Sequence, residues 1–239
     1  MATTGTAVFN LDLTEIVEEA FERCGAELRS GYDLRTARRS LNLLTIEWAN
    51  KGINLWTVEQ GSIPLVAGTA TYDLPLDTID LIEHVIRTGS TTNQTDINIS
   101  RISVSTYASI PNKNSTGRPI QLYINRKTGA TGPAPTSTVS APTVTVWPIP
   151  DASTPYTLTY WRLRRMQDAG SGVETQDIPF RALPALIAGL AYHLSLKVPE
   201  GAQRVDMLKS MYDEAFNAMA DEDREKASVR IVPRMQFYR

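Results

Sequence analysis

The stretch from Leu34 to Trp56 constrains the fold of this chain more than any other part of its sequence. Its apolar residues recur every three or four positions, at Leu34, Ala37, Leu41, Leu44 and Trp48. This spacing places them on one side of an α-helix. Lys51-Gly52 follows, and a cation before a glycine is typical of a helix end. Because apolar and polar residues alternate from Ile53 onwards, the chain is expected to enter a strand directly after the helix.

A shorter helix is predicted between Asp12 and Gly25, before the long one. Asp12 and Glu15 have the spacing of a capping box, and Asp33 is expected to cap the second helix. The two polar helix faces carry opposite charges, from glutamates on the first helix and arginines on the second: Glu15, Glu18, Glu19 and Glu22, and Arg35, Arg38 and Arg39. Two helices joined by so few residues are expected to pack as an antiparallel hairpin.

The middle of the chain changes to a strand-like pattern. Short segments rich in β-branched and aromatic residues predict strands at 58–65, 71–74, 81–87, 120–125, 144–147 and 156–161. Segment 98–107 is ambiguous, because Ile102 favours a strand whereas Ser103 or Ser105 is placed to cap a helical turn. Residues 127–143 contain almost no large apolar residue and predict an exposed hairpin tip, which is either a partner contact or a plain surface loop. Together these segments indicate a small antiparallel sandwich or barrel-like sheet.

Helical periodicity returns after Asp177. A mostly apolar helix is predicted from Phe180 to Leu194, with Pro184 at its start or at a kink, and a last helix is predicted to begin at Pro199 and Glu200. The element order predicts an α+β fold. It comprises a four-helix bundle formed by the N- and C-terminal helix pairs, an inserted antiparallel β sandwich or barrel-like domain, and an extended C-terminal arm. The predicted boundaries are 1–56 and 167–223 for the helix pairs, 57–166 for the β domain and 224–239 for the arm.

The C-terminal residues combine apolar side chains with arginine in a way that a monomer does not readily accommodate. They are Val229, Arg230, Ile231, Val232, Pro233, Arg234, Met235, Phe237, Tyr238 and Arg239. A disordered tail normally lacks such apolar residues, and a proline prevents a continuous helix. We expect an extended arm that lies in a groove of another subunit. Two alternatives stay open: the arm folds back on its own body, or it contacts nucleic-acid phosphates together with Arg162, Arg164 and Arg165.

The sequence contains few residues that point to catalysis. Cys24, the single cysteine, excludes an internal disulfide and is expected to be a core residue, and His84 and His193 are expected to be structural. No phosphate-binding loop, dinucleotide fingerprint, nucleophile elbow or zinc-protease motif occurs. The acids from Asp73 to Glu83, which include Asp77 and Asp80, are interpreted either as turn and cap residues or as an acid–base pair for glycoside hydrolysis.

We therefore predict no catalytic, cofactor-binding or metal-ligating residue, and no enzymatic activity. The formal net charge of −2 argues against a dedicated nucleic-acid binder. No apolar run reaches membrane-spanning length, so no membrane contact is expected.

Seven segments carry a family resemblance: LDLTEIVEEAFERCG, LRTARRSLNLLTIEWANKGINLW, TATYDLP, VWPIP, IPFRALPALIAGLAYHLSLKVP, QRVDMLKSMYDEAFNAM and VRIVPRMQFYR. They resemble the head-to-tail adaptor proteins of short-tailed phages. This is the family of the tail accessory factor, or packaged-DNA stabilisation protein, and of tail tubular protein A. The resemblance covers most of the chain through helical patterns rather than invariant chemistry. The smallest members of the family lack a β domain of this size.

The resemblance implies a structural virion protein at the head–tail junction, assembled in the host cytoplasm, that forms a twelve-subunit ring beneath the phage portal protein. The arms, here Val229 to Arg239, would bind the portal. The β domain and its 127–143 tip would face the tail nozzle or tail fibre protein. Double-stranded DNA would pass through the lumen to the host without sequence-specific binding.

Within such a ring, the two charged helix faces are candidates for the contact between copies. The candidate residues are Glu15, Glu18 and Glu22 on one face and Arg35, Arg38 and Arg39 on the other. A contact of this head-to-tail kind closes into a ring. The alternative is that the two faces pair within one hairpin, where exposed ion pairs contribute little. Two other functions stay open: a carbohydrate-active or cell-wall-degrading virion enzyme, and a receptor-binding tail module built on the β region.

Overall fold

The computed structural model describes residues 3–6, 9–29, 31–89, 91–127, 130–131, 138–139, 141–170 and 172–224. The chain is mixed α+β and divides into two compact units. Residues 1–56 and 167–239 form one, which we call the helical unit, and residues 57–166 form the other, the β unit. The predicted arm residues 229–239 lie outside the described residues, as do 128–129, 132–137 and 140 of the predicted tip.

Five α-helices occur in the described part of the chain: α1 (Leu13–Cys24), α2 (Gly31–Asn50), α3 (Val104–Ser109), α4 (Leu183–Ser195) and α5 (Val205–Glu222). The ten strands are β1 (Val58–Leu65), β2 (Thr71–Asp73), β3 (Thr78–Thr88), β4 (Thr95–Asn98), β5 (Ser100–Arg101), β6 (Gln121–Asn125), β7 (Ala130–Thr131), β8 (Thr138–Val139), β9 (Thr143–Trp147) and β10 (Tyr156–Arg164).

Helix α1 begins and ends where its sequence predicts. The Asp12 carboxylate accepts a hydrogen bond from the Glu15 backbone N–H at 2.8 Å, and the Glu15 carboxylate accepts one from the Asp12 N–H at 2.9 Å. Gly25 ends the helix at φ 80°, a conformation that favours glycine. Cys24 is buried, its thiol donates to the Ala191 carbonyl at 3.0 Å, and burial raises its pKa to about 11. These contacts are those of a core residue.

Helix α2 confirms the predicted apolar stripe. Four of the five stripe residues are fully buried: Ala37, Leu41, Leu44 and Trp48. The helix ends at Asn50, and Gly52 follows at φ 84°. The prediction that Asp33 caps this helix is wrong, because α2 already begins at Gly31 and Asp33 lies within its first turn.

The segment after α2 differs from the predicted strand. A 3₁₀ turn, Leu55–Thr57, precedes β1. The backbone N–H groups of Asn54 and Leu55 donate to the Asp223 carboxylate at 3.0 and 3.2 Å, which ties this turn to the end of α5. The alternation of apolar and polar residues from Ile53 onwards therefore does not produce a strand here, because the contact with the distant Asp223 favours a turn.

Helix α4 packs against α1, α2 and α5. A Cβ at Gly189 of α4 would lie 2.8 Å from the Tyr212 ring and 2.9 Å from the Leu44 side chain. The glycine therefore allows α2 and α5 each to pack closely against α4. Helices α1 and α2 pack on α4 more extensively than on each other. The packing of α1 on α2 is therefore the smaller contact of each helix, and the packing on α4 is the larger one.

In the second half of the helical unit, the helices begin at positions that differ from the predicted ones. Pro184 lies in the first turn of α4, where a missing N–H has no cost. Phe180 was predicted to lie on the buried helix but lies in a preceding 3₁₀ turn, Phe180–Ala182, and is exposed. Pro199 begins a 3₁₀ segment, Pro199–Arg204, rather than α5 itself.

The β unit contains two four-stranded sheets. The first has the order β1-β10-β3-β4 and is entirely antiparallel. The second has the order β2-β9-β6-β5, in which β5 pairs with β6 in parallel, so the predicted all-antiparallel arrangement is wrong at this edge. The parallel pair arises because α3, capped by Ser103, follows β5 and carries the chain back to the start of β6.

One hydrophobic cluster joins the two sheets of the β unit. Leu81, Ile86 and Leu158 from the first sheet belong to the same cluster as Leu122 and Val144 from the second. Strands β7 and β8 form a separate antiparallel pair within the predicted 127–143 hairpin. Strand β4 was not predicted, because only Ile97 marks it as apolar.

Candidate functional site: two charged surfaces of the helical unit

An open groove of about 600 Å³ lies along α1 and the start of α4. Its acidic side consists of Glu15, Glu18, Glu19 and Glu22 from α1. Its apolar side consists of Phe9, Leu11, Phe180, Leu183, Pro184 and Ile187, and Arg23 also lines it. We call this surface the acidic groove. The glutamates lie here because the opposite face of α1 is buried through Leu13, Ile16, Val17 and Ala20.

The glutamates of the acidic groove differ in what they contact. Glu15 accepts the capping hydrogen bond of α1, and Glu19 forms an ion pair with Arg23 at 2.9 Å. Glu18 and Glu22 are exposed, and neither has an ion-pair partner within the described part of the chain. These two carboxylates are therefore the ones available to a cation from outside this unit.

A second surface on α2 is basic. Tyr32, Arg35, Arg38, Arg39 and Asn42 line it, and we call it the basic patch. Its arginines donate to oxygen atoms of neutral groups: Arg35 to the Gly31 carbonyl at 3.3 Å, Arg38 to the Ala169 carbonyl at 3.1 Å and Arg39 to the Thr36 hydroxyl at 3.5 Å. Arg38 is half-buried, whereas Arg35 and Arg39 are exposed. Two guanidinium groups thus face solvent with no carboxylate among their described contacts.

The structure brings each set of predicted charges together on its own surface but does not bring the two sets to each other. The acidic groove and the basic patch have no lining residue in common. Among residues 9–29 and 31–50, no ion pair joins a glutamate of α1 to an arginine of α2. Pairing within one hairpin, the alternative to a contact between copies, is not observed in the described residues.

A polar network between α2, α4 and α5 was missed by the sequence analysis. The Trp48 indole N–H donates to the Tyr212 hydroxyl at 3.0 Å, which donates to the Glu47 carboxylate at 3.2 Å. Lys51 forms an ion pair with Glu47 at 2.7 Å, and His193 Nε2 lies 3.6 Å from Glu47 Oε2. Trp48 and Tyr212 each follow the apolar period of their own helix, so no sequence signal linked them.

The pKa values in this network follow from burial and the Lys51 charge. Burial raises the pKa of the Tyr212 hydroxyl. Burial would raise the pKa of Glu47, but the hydrogen bond and charge of Lys51 outweigh it and hold that pKa below its ordinary value. Burial lowers the pKa of His193, and the Glu47 charge offsets this only in part. The network is therefore a charged Glu47–Lys51 pair beside a neutral imidazole.

Two of the acids between Asp73 and Glu83, Asp77 and Asp80, form ion pairs in the β unit. Asp77 pairs with Arg162, which also pairs with Glu59 at 2.8 Å. The Arg162 hydrogen bond holds the pKa of Asp77 below its ordinary value. Asp80 pairs with Arg101 at 2.9 Å. A carboxylate held by an arginine is a poor general acid, so these contacts favour the turn and cap interpretation over the catalytic one.

Two of the three arginines proposed to contact phosphates, Arg162 and Arg164, form ion pairs in the β unit, whereas Arg165 is exposed. Arg164 pairs with Glu59 at 2.6 Å, and the Arg162 and Arg164 side chains are mostly buried. This engagement leaves them poorly placed to bind a phosphate backbone.

His84, which was expected to be structural, lacks one hydrogen bond within the described segments. Its Nδ1 is buried without a hydrogen-bond partner in the described part of the chain. Burial also lowers its pKa.

No group of three or more His, Cys, Asp or Glu side chains that could hold a metal ion occurs among the described residues.

No single helix of the described segments is long and apolar enough to cross a bilayer. One pair, Phe180–Ser195 with Pro199–Glu222, satisfies length and composition together but is bent by 117°.

No curated protein matches the chain. The family model described as SU10 adaptor protein matches residues 11–234, which include both the helical unit and the β unit. Because this match covers nearly the whole sequence, the chain belongs to the SU10 adaptor protein family of structural phage adaptors at the head–tail junction.

Proposed function

We propose that this protein forms a ring of twelve copies between the phage portal protein and the tail, and that DNA passes through the lumen of the ring. The acidic groove and the basic patch carry the proposal, because one unit presents two complementary charged surfaces that do not pair with each other. Membership of the adaptor family supports the location at the head–tail junction. In this proposal α4, together with α1, α2 and α5 that pack on it, builds the ring wall.

The contact between copies is heterologous in this proposal. The basic patch of one copy faces the acidic groove of the next, so each copy uses one of each surface. A contact that joins two different surfaces closes into a ring when the rotation between copies divides a full turn. Glu18 and Glu22 facing Arg35 and Arg39 are the central pairs, since Glu15 caps its own helix and Arg38 is half-buried.

The two ends of the ring have different partners in this proposal. Residues 229–239 bind the portal protein, since their apolar side chains and arginines suit a groove with an acidic rim. The β unit, with its sandwich or barrel-like sheets and the 127–143 segment, faces the tail nozzle or tail fibre protein. A net charge of −2 suits a lumen through which DNA slides without sequence-specific binding.

Imaging of the assembled complex tests the portal contact. Purified protein is mixed with the portal protein of the same phage and examined by negative-stain electron microscopy. We expect a ring of twelve copies on the portal. A variant that lacks residues 229–239 is expected to lose portal binding, whereas a matched variant that lacks residues 132–137 is expected to bind the portal as the full chain does.

Two results would count against this assignment. If the full chain does not associate with the portal, the adaptor ring is the wrong function for this protein. If the chain that lacks residues 229–239 still binds the portal, the ring can stand but its portal contact lies elsewhere.

A further inference from the structure

The exposed side of α2 carries more than the basic patch. Tyr32, Arg35, Arg39, Leu43 and Ile46 are spaced by three and four residues and therefore form a second stripe, which we call the outer stripe. It lies on the side of α2 opposite the buried stripe. Tyr32, Leu43 and Ile46 are 65%, 58% and 56% exposed. One half of the outer stripe is thus basic, and the other half is apolar.

The apolar half is mostly exposed and does not belong to the buried core of the described helical unit. The buried stripe of α2 already supplies its contacts to the core, through residues such as Leu44 and Trp48. A single exposed apolar side chain is ordinary on a protein surface. Two large ones, one helical turn apart and continuous with a charged surface, are typical of an interaction site.

The acidic groove has the same two-part chemistry with the opposite charge. Glu18 and Glu22 form its acidic side, whereas Phe9 and Phe180 on its apolar side are 75% and 66% exposed. A helix that carries both arginines and aliphatic side chains on one face fits a groove of this composition. The outer stripe and the acidic groove are therefore complementary in charge and in apolar character on a single chain.

We propose that the outer stripe of α2 in one copy lies in the acidic groove of the neighbouring copy. Arg35 and Arg39 face Glu18 and Glu22, and Leu43 and Ile46 cover the apolar side at Phe180. This inference rests on the proposed ring, and it adds an apolar component that the charged residues alone do not specify. The occupant is a second copy of this chain, because every copy carries one outer stripe and one acidic groove and both charges find a partner in this arrangement.

The two halves of the contact have different roles. The aliphatic side chains are removed from water when the stripe enters the groove and supply most of the affinity. The charged pairs fix the register and speed up association, since exposed ion pairs alone contribute little. The assembly should accordingly depend more on Leu43 and Ile46 than on the ionic strength.

Substitution of the exposed aliphatic residues tests the apolar component. Leu43→Glu and Ile46→Glu, each made in the full chain, are expected to reduce the fraction of portals that carry a complete ring by at least tenfold. Both positions are exposed, so the circular dichroism spectrum and Tm of the variants should match those of the native chain. The matched control is Leu196→Glu, which places the same charge at another exposed leucine of the helical unit, 62% exposed, outside both surfaces.

Cross-linking tests the pairing itself. A chain with Leu43→Cys and Phe180→Cys is assembled on the portal and oxidised, and a ladder of disulfide-linked multimers is expected. Leu43→Cys with Leu196→Cys is the matched pair that should give no ladder. Native Cys24 is buried and does not compete.

The outcomes separate this inference from the proposed function. A complete ring in which Leu43→Glu and Ile46→Glu are tolerated, and in which the Leu43–Phe180 pair does not cross-link, would overturn the pairing and leave the ring in place. Failure of the native chain to form any ring on the portal would overturn both. A ladder from the Leu43–Phe180 pair, together with loss of the ring in the glutamate variants, would support the pairing.

Discussion

At the residue scale, the polar network around Glu47 is the most specific feature of the helical unit. It links α2, α4 and α5 through the Trp48 indole, the Tyr212 hydroxyl, the Lys51 ammonium and the His193 ring. Buried polar groups favour a fold only when their hydrogen bonds are made. The network therefore fixes how the N-terminal and C-terminal helices pack on each other.

Removal of the Tyr212 hydroxyl should destabilise the protein. Tyr212→Phe leaves the fully buried Trp48 N–H without its acceptor, so the free energy of unfolding should fall by about 1–3 kcal/mol. Urea denaturation followed by circular dichroism measures this change. Tyr32→Phe, at an exposed tyrosine of α2, is the control and should stay within about 0.5 kcal/mol of the native chain. Equal stability of the two variants would show that the network contributes little.

The two histidines should make the protein less stable in mild acid. Burial lowers the pKa of His84 and of His193 below the ordinary value of 6.5. The unfolded chain therefore takes up a proton at a higher pH than the folded chain, and the free energy of unfolding should fall as the pH drops below about 6.5. Around His193, the charges of Glu47, Lys51 and Lys197 face the ring, and only Glu47 favours protonation.

Thermal unfolding between pH 7.5 and pH 5 checks this expectation. His193→Asn and His84→Asn should each flatten part of the decline in Tm, and the double variant should flatten more of it. A native chain whose Tm does not change over this range would contradict the lowered pKa values. The depressed pKa of Glu47 acts at lower pH, since its stabilising charge is lost only as the pH falls below its ordinary value of 4.5.

At the element scale, elements formed by local signals could be predicted, and elements formed by distant contacts could not. The caps of α1 depend on Asp12, Glu15 and Gly25, which are neighbours in the sequence, and β1 has the predicted bounds of Val58–Leu65. The 3₁₀ turn at Leu55 depends on Asp223, more than 150 positions away. No local pattern contains that information.

The capping box of α1 should stabilise the protein measurably. Asp12→Ala removes the acceptor for the Glu15 N–H, and the free energy of unfolding should fall by about 0.5–2 kcal/mol. Asp12→Asn keeps a capping oxygen and should recover most of the loss. Chemical denaturation of the three chains measures the difference, and an equal loss in both variants would mean that the Asp12 charge, rather than the hydrogen bond, is responsible.

At the scale of the whole molecule, the charged halves of the candidate interface were predictable, and the apolar half was not. Helical periodicity alone placed the glutamates on one face of α1 and the arginines on one face of α2. The apolar side of the acidic groove comes from Phe180 and the start of α4, and Phe180 had been expected in the core. Its exposure follows from the 3₁₀ turn before α4, which the sequence pattern does not reveal.

An exchange of charges between the two surfaces tests whether the acidic groove of one copy binds the basic patch of the next. The measurement is the mass of the assembly on the portal, by mass photometry, for three chains. These carry Glu18→Arg with Glu22→Arg, Arg35→Glu with Arg39→Glu, or all four substitutions. We expect each reversal alone to prevent a complete ring and the fourfold exchange to restore it. Complete rings from either reversal alone, or no recovery in the fourfold variant, would contradict the account.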